Sequence, residues 1–571
     1  MAKRISWGQN TTINLPTLDL VKIQKDSFGA FLESGIAEVI NEITPVDDFT
    51  GKNFTLTLGA YSFGKPKYTP EECAKKGITY DVPLKVEATV VNKQTGGKNT
   101  QEVFLCDLPL MLDKGSFIIN GIERAVVTQL VRAPGVYYSA EIDPSTGKTL
   151  YNCEIRPQRG SWLEFAITKN DLITVKIDRR RKFPVTTFLR AIGFEDNESI
   201  LKLFENVLDD NARELLNNTL AKDSTTNADE ALLEIYRRMR PGDHVILDNA
   251  KALIENMFFN PRRYSLGRVG RYKVQKRLKN LKEKLPNNEK EDVNSQILTP
   301  NDFVASIAYL FELIAGNGRL DDIDHLGNRR LRRVGELVAQ NAFRIGILRL
   351  ERVIKERMSL TPVEEGVPSP AALINARPII SAINEFFRSS QLSTILDQTN
   401  PLSELDNLRR LTVMGTGGIA RERAAFSIRD INHSQYSRIC PIRSPEGPNI
   451  GLVTYMALYC QVNDYGFLEA PYRKVNQDKS GKAKVTNEIV YLAADDEEDY
   501  YITHAQIKID AKGLIAEDRV PVRYKGEFTT ANQGALNYID VVPRQVVGTS
   551  AALIPFLAND ETNRALMGTH M

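Results

Sequence analysis

The hydrophobic period of this chain changes twice along its length, and that change confines it to a mixed, multi-domain fold. Between residues 53 and 141 apolar and polar residues alternate in short runs: Phe54-Thr55-Leu56-Thr57-Leu58, Leu84 to Val91, Glu102 to Cys106, Ser116 to Asn120 and Ala125 to Val131. Gly and Asn punctuate these runs, so the period of two predicts antiparallel sheet. A second β-rich stretch covers Leu150 to Ile177. From Pro184 to about Leu360 the spacing becomes three and four. Ile200 to Leu220, Asp229 to Arg240, Pro300 to Ala315 and Arg329 to Met358 read as helices with one apolar face. Asn280 to Asn294, polar and lysine-rich, reads as an exposed connection. From Ser389 to Gly451 the chain is dense in Gly, Pro, Arg and Ser, the composition of loops that carry binding residues on a scaffold. Residues 452–558 return to short strands. Strands and helices are largely segregated, so the class is α+β.

Length and charge narrow the function. At roughly 150 residues per domain, 571 residues predict about four domains. Hydrophobic residues make up 42% and charged residues 26%, which excludes a disordered chain. Lys+Arg 74 against Asp+Glu 72 excludes a uniformly basic protein, so any nucleic-acid surface must come from local segregation of charge. The most apolar helical stretch, Phe303 to Gly316, contains Glu312 and is too short to span a bilayer. The opening residues lack the apolar core of a signal peptide, and a cytoplasmic chain with no membrane partner is expected. Cys73, Cys106, Cys153, Cys440 and Cys460 form no CxxC pair, and the histidines form no HExxH. A disulfide framework and a zinc ribbon are therefore not expected, and the chain is read as metal-free.

Three basic clusters stand out: Arg179 to Lys182; Arg262 to Lys284, where ten Arg or Lys face the single acidic residue Glu283; and Asn328 to Arg333, at a predicted helix start. In the second, Tyr264, Tyr272, Gly267 and Gly270 suit close approach to a phosphate chain. Such clusters attract phosphates, and a solvated helix face is the plain alternative. In Arg409 to Arg423, glycines 415, 417 and 418 free the backbone and arginines flank both sides, which suits a loop against a polyanion. A helix-to-strand turn with exposed arginines fits equally. Cys440 to Gly451 holds three prolines in eight residues, a pre-shaped loop. Asp495 to Asp499 lacks calcium-loop spacing and reads as a solvated acidic turn. His433 and Cys440 lack the further pair that a zinc site needs.

At Ser389-Ser390-Gln391-Leu392-Ser393, Asp397-Gln398, Asn400 to Glu404, Arg409-Arg410 and Cys440 to Leu452 the sequence resembles the beta subunit of bacterial RNA polymerase. The likeness extends through Leu84-Lys85-Val86, Ser116 to Gly121, Glu123-Arg124, Arg132 to Val136, Arg159 to Leu163, Asp321 to Arg330, Gly466 to Val475 and Asn563 to Gly568. It implies a β-rich protrusion (residues 1–137 and 331–388), a mixed, largely helical lobe inserted within it (138–330), and a fork with the following region (389–571). It further implies a subunit about twice this length, whose later half carries lysines near the growing RNA end. The magnesium-binding aspartates of that family belong to the beta-prime subunit. This chain alone is expected to bind no cofactor, to supply no catalytic residue and not to polymerise RNA.

The resemblance also assigns residues. Gln391, Thr394, Asp397, Arg410 and Asn449 are implied to line the RNA–DNA hybrid, with Arg410 contacting phosphate or anchoring Asp397. Residues 414–425 look like a fork loop at the downstream edge of the bubble, with Arg421 and Arg423 as backbone contacts. Trp162, Asp324 and Arg329, with Ile323 and Ile419, resemble a pocket for an unpaired non-template base; an indole stacks on a base and a carboxylate accepts from a guanine edge. Arg564 resembles the arginine that touches the incoming triphosphate. The rifamycin-pocket equivalents are Gln391, Thr394, Ile395, Asp397, Asn407, Arg410, Thr412, Met414 and Val453. Thr394, Ile395, Asn407 and Thr412 depart from the usual Gln, Phe, His and Ser, so weak rifamycin binding is expected. His570 departs from the usual Asn and receives no role. The implied partners are the beta-prime, alpha, omega and sigma subunits, both DNA strands, nascent RNA and NTPs, on the nucleoid. The alternatives are one polypeptide of a naturally split beta subunit, or a non-catalytic nucleic-acid-binding module that borrows these domains.

Overall fold

The period-two run at Phe54–Leu58 forms the start of a strand, Phe54–Phe63, in which Phe54, Leu56 and Leu58 are buried and the residues between them are not. It belongs to a four-stranded antiparallel sheet in the order Val46–Asp47, Phe54–Phe63, Asp81–Asn92, Lys98–Pro109. The apolar face of that sheet shares one core with three helical segments: Lys22 to Ile43, Val334–Leu360 and Arg377–Ser389. Phe28, Phe31, Ile36, Val39, Ile40 and Ile43 lie along one apolar face, and all are buried there. Each such side chain contributes roughly 1.5–3 kcal/mol on burial.

This computed structural model describes residues 18–285, 295–362, 366–477, 482–510 and 513–571. The opening residues read for a signal peptide, and residues 286–294 of the lysine-rich connection, lie outside them. The chain divides into two compact units: the residues up to Val131 together with those from Asp324 onward, and Arg132–Ile323. No helix among the described residues is long and apolar enough to cross a membrane. The five cysteines are buried and unpaired.

In the first unit two small sheets weave distant segments together. One orders Arg329–Arg332, Thr128–Arg132, Arg410–Thr412 and Val453–Tyr455; the other orders Ser393–Ile395, Ile122–Val126 and Phe117–Ile119. A larger sheet is built from Gln461–Val462, Leu468–Gln477, Tyr538–Asp540, Ile502–Thr503, Arg519–Tyr524 and Glu527–Asn532, with Ala483–Ala493 paired to Leu468–Gln477. The guanidinium of Arg438, wholly buried, joins the loop at 434–440 to this sheet. It donates to Leu468 O (3.1 Å), Leu492 O (2.8 Å) and Ser434 O (3.2 Å) and pairs with Glu497 at 2.6 Å.

The second unit packs a five-stranded antiparallel sheet, from Gly135–Ile142 to Phe183–Pro184, against helices that include Val185–Ala191, Asp210–Lys222, Gly267–Lys282 and Pro300–Ile314. Its core is aromatic, with Phe188 edge-on to Phe165, Phe258 and Phe303. Helix Pro300–Ile314 starts on a capping box between Thr299 and Asp302 with Pro300 in its first turn. Asp302, wholly buried, also takes Arg271 at 2.9 Å and Lys282 at 2.7 Å.

Three expectations change. Arg329 to Met358 is not one helix: Arg329–Arg332 is a strand, and helix begins at Val334. Pairing buries Leu331 in the sheet, and Arg330 and Arg332 turn onto Glu336. Ile200 to Leu220 is two helices, Asn197–Phe204 and Asp210–Lys222; the Asp209 side chain caps the second by accepting from Ala212 N at 2.8 Å. The acidic run 495–499 is not a solvated turn. It contains the end of the short helix Ala494–Glu497, and Glu497 and Glu498 are largely buried against cationic and imidazole groups.

Replacing Asp302 by Ala should lower the unfolding free energy by about 3–5 kcal/mol, because it strands buried Arg271. Thr299→Ala, which removes the cap alone, should cost about 1 kcal/mol. Urea denaturation of the two variants beside the parent checks this ratio.

Candidate nucleic-acid interface

The strand Arg410–Thr412 lies parallel to the strand at Thr128–Gln129 and antiparallel to Val453–Tyr455, with Arg410 opposite Tyr455 and Thr412 opposite Val453. Ser393–Ile395 pairs with Arg124–Val126, Thr394 facing Ala125. Residues 117–132 are thus the platform under both segments. Leu130, Leu331, Leu411, Val413, Leu452 and Tyr455 fill the core beneath the mixed sheet. Arg409, 4% exposed, braces it by donating to Leu20 O (3.1 Å) and Ala457 O (2.6 Å). Burial pulls its guanidinium below the ordinary arginine pKa. Buried Gln24 donates to Leu408 O at 2.9 Å and Val126 O at 3.4 Å. Of the two arginines read as facing a polyanion on this side of the loop, Arg409 is therefore turned inward.

The glycine loop is held from below. Gly415 and Gly417 have φ of +103° and +77°, backbone that side chains disfavour. Gln129 Nε2 donates to Met414 O (3.0 Å) and Thr416 O (3.1 Å), while Arg332 donates to Gln129 Oε1 (3.2 Å) and Thr416 O (3.3 Å). After it, Arg421–Arg423 forms an exposed 3-10 turn. Neither Arg421 nor Arg423 makes an ion pair among the described residues, so both guanidiniums are presented to solvent.

The proline loop is braced as well. Ser444 Oγ donates to Val453 O (3.1 Å) and accepts from Gly451 N (3.1 Å); Arg429 donates to Pro448 O (2.9 Å) and Ile450 O (2.8 Å). Its end enters the paired strand through Asn449 O, which accepts from Leu452 N and Val453 N. Arg410 Nε and Asn449 Oδ1 are buried here with no hydrogen-bond partner, as are Arg409 Nε and Arg443 Nε. Each such orphan costs about 1–3 kcal/mol until something pairs it. The Arg410 guanidinium lies 5.8 Å from the Tyr455 ring centroid. No ion pair links it to Asp397 among the described residues. Asp397 instead accepts from Thr399 N at 3.1 Å.

Gln391, Ile395 and Asp397 are exposed and Thr394 is half-buried, its hydroxyl donating to Ala125 O at 3.4 Å. Asn407, Thr412, Met414 and Val453 are buried. Asn407 donates to Ser403 O (3.0 Å) and Thr412 Oγ1 accepts from Met414 N (3.2 Å), so both polar groups are committed inside the fold. Arg564 is exposed on helix Thr562–His570, with Met567 Sδ as its contact at 3.0 Å. That helix is tied to the proline loop where Arg443 donates to Thr569 Oγ1 at 3.4 Å.

Trp162, in the second unit, is half-buried at the surface. The guanidiniums of Arg156 and Arg179 lie 4.3 and 5.3 Å from its ring centroid, and its backbone N–H donates to Asp178 Oδ1 at 2.8 Å. In the first unit Arg329 is buried with Asp324 at 3.9 Å, and Ile419 is half-buried; Ile323 is exposed in the second. The basic clusters are sorted by burial. Arg271, Arg277, Lys282 and Lys284 pair with Asp302, Asp321 and Glu312, and Tyr264 is buried. Gly270 packs on Leu266 and Pro134, so it serves helix packing and not phosphate approach. Arg262, Arg263, Arg268, Lys276 and Lys279 remain on the surface. Arg330 and Arg332 belong to Glu336. Burial raises that carboxyl, yet Arg330, Arg332 and Arg333 beside it outweigh burial and hold it below its ordinary 4.5.

Gln129 and Arg429 lie in no motif, and nothing in the motifs holding Arg332 and Ser444 marks them as braces; these roles depend on contacts across up to 287 positions of sequence. The same holds for a cluster of His325, His433 and Glu498 described below.

Three family comparisons cover much of the chain: RNA polymerase Rpb2, domain 2, at residues 132–332; RNA polymerase Rpb2, domain 3, at 394–462; and the RNA polymerase beta subunit external 1 domain at 472–542. The DNA-directed RNA polymerase subunit beta of Syntrophomonas wolfei is 48% identical over 569 residues, covering 100% of this chain and 49% of the relative. The same subunit of Geobacillus thermodenitrificans is 43% identical, covering 97% of this chain and 52% of the relative. The chain spans about half the length of these curated relatives.

Gln129→Ala removes both bonds under the glycine loop and should destabilise the unit by about 1–3 kcal/mol, with faster limited proteolysis at 415–423. Because the folded-state pKa of Glu336 is below its ordinary 4.5, its contribution is present above that pH and lost as pH falls through the lower value. Acidification below 4.5 should therefore cost the parent more stability than Glu336→Gln, read as the melting temperature of each against pH.

Proposed function

We propose, from the premise that this chain belongs to the RNA polymerase beta-subunit family, that it works within the core of a DNA-directed RNA polymerase, holding the RNA–DNA hybrid and the edge of open DNA. The observation that carries this reading is the braced platform of 391–453. It carries exposed Arg421 and Arg423, and it also holds buried, unpartnered atoms of Arg410 and Asn449. Rigid loops present cations without the ordering cost that flexible ones incur, and arginine suits phosphate oxygens.

In this reading residues 1–137 and 331–388 form the protrusion, 138–330 the lobe and 389–571 the fork with the region after it. Gln391, Thr394, Asp397, Arg410 and Asn449 face the hybrid; Arg421 and Arg423 meet the downstream strands; Arg564 faces the triphosphate of the incoming NTP. Trp162, clasped by two arginines, offers a face for an unpaired base. Within the first unit Asp324 offers a carboxylate acceptor to a base edge, with Arg329 buried beside it as a positioning residue. The divalent ions of nucleotidyl transfer are assigned to beta-prime, and alpha, omega and sigma complete the assembly on the nucleoid.

Co-expression with the remainder of the subunit, alpha and beta-prime should give primer extension that this chain alone does not. Extension by the chain alone, or equal extension by an assembly lacking it, contradicts the reading. The chain by itself should bind single strands weakly, with affinity falling steeply with salt. The buried, internally bonded Asn407 and Thr412 leave little for a polar ligand to grip. The assembled polymerase should therefore resist rifampicin, and inhibition at nanomolar drug would refute that.

A further inference from the structure

Three donor groups from separated segments of the first unit converge. His325 lies in the turn before strand Arg329–Arg332, His433 opens the 3-10 turn His433–Gln435, and Glu498 follows helix Ala494–Glu497. Glu498 Oε1 is 3.0 Å from His325 Nε2 and 3.4 Å from His433 Nε2. The three ligand atoms all lie within 4.8 Å of one another. A tetrahedral ion with bonds of about 2.0–2.1 Å spaces its ligand atoms by roughly 3.3 Å, so both measured separations bracket that value. The side chain of His325 is 8% exposed, that of Glu498 13% and that of His433 42%.

Two further observations point to a missing occupant. The 3.0 Å contact is close enough for an ion pair, yet buried His325 Nε2 is left with no hydrogen bond. A cavity of about 180 Å³ opens on the cluster, walled by Ile431, Tyr524, Phe528 and Lys525. The neighbouring cations are engaged elsewhere: Arg438 and Arg523 lie 2.6 and 3.9 Å from Glu497, and Lys525 lies over the Tyr524 ring.

We infer that His325, His433 and Glu498 bind a divalent transition cation, zinc fitting two imidazoles and a carboxylate best, with its fourth position open to the cavity. Gly327 N–H donates to His325 Nδ1 at 3.0 Å, which places the ring proton on Nε2 in the metal-free chain. Binding moves that proton to Nδ1, exchanging one backbone hydrogen bond for a metal–nitrogen bond with no net proton release from this ring. The ion joins three segments that share no other covalent or motif link, and so acts as a staple.

The full chain, stripped with a chelator and titrated with Co²⁺, should bind one ion with the visible d–d bands of four-coordinate cobalt. It should show no thiolate charge-transfer band, and Zn²⁺ should displace the cobalt. Zn²⁺ should also raise the melting temperature. His433→Ala, at a half-exposed position, and the isosteric Glu498→Gln should each weaken binding at least about tenfold and abolish the thermal shift. Should Glu498→Gln lower the metal-free melting temperature, His433→Ala alone carries the comparison. Absence of the d–d bands, a thiolate band from the cysteines, or affinity unchanged in His433→Ala would overturn the site.

Discussion

The three-residue strand Arg410–Thr412 is the interaction on which the rest of the interface depends. It sits between Thr128–Arg132 and Val453–Tyr455, parallel to one and antiparallel to the other; the glycine loop follows it directly and the proline loop precedes Val453–Tyr455. So short a strand is not stable by its own ladder. It is fixed by what surrounds it: Leu411 in the core below, and the Arg409 guanidinium tying Leu20 O to Ala457 O across it. An arginine this deeply buried contributes through carbonyls that would otherwise be orphaned, and its removal should loosen the segments at Leu20 and Ala457 together with the strand.

From that strand the loops inherit their stiffness. The glycine loop owes its shape to Gln129 and Arg332, and the proline loop to Ser444 and Arg429. In both, side chains of the scaffold satisfy loop carbonyls, which leaves the outward arginines as the groups free to meet a ligand. In the proposed reading this division explains why a near-neutral chain can grip a polyanion. Several cations in the second and third basic clusters are spent on internal carboxylates, while arginines on the braced loops are kept for phosphate.

The sheet at Phe54–Leu58 and helix Pro300–Ile314 were legible because one face of each is buried and local signals agree: strict alternation in the first, a Thr-Pro-x-Asp start in the second. Arg329–Arg332 was not, since three arginines beside a helix look like a helix start until Glu336 and the strand at Thr128 are placed around them. Charge density in the sequence likewise could not separate Arg271, buried on Asp302, from Arg268 on the surface. The motifs named the loops of the candidate site through family resemblance. Their bracing by Gln129, and the meeting of His325 with His433 and Glu498, arise from long-range contacts that no local pattern encodes.

The central claim is that arginines on braced loops hold the transcript and the incoming nucleotide while a partner supplies the metal ions. Its most direct measurement is the elongation rate of a fully assembled polymerase in which Arg410, Arg421, Arg423 and Arg564 are all replaced by Ala, with assembly verified beforehand. The account predicts a rate reduced by orders of magnitude and a shallower dependence of hybrid binding on salt, since each lost phosphate contact removes about 0.7–0.9 from the logarithmic slope. Elongation at the parental rate with an unchanged slope would contradict it.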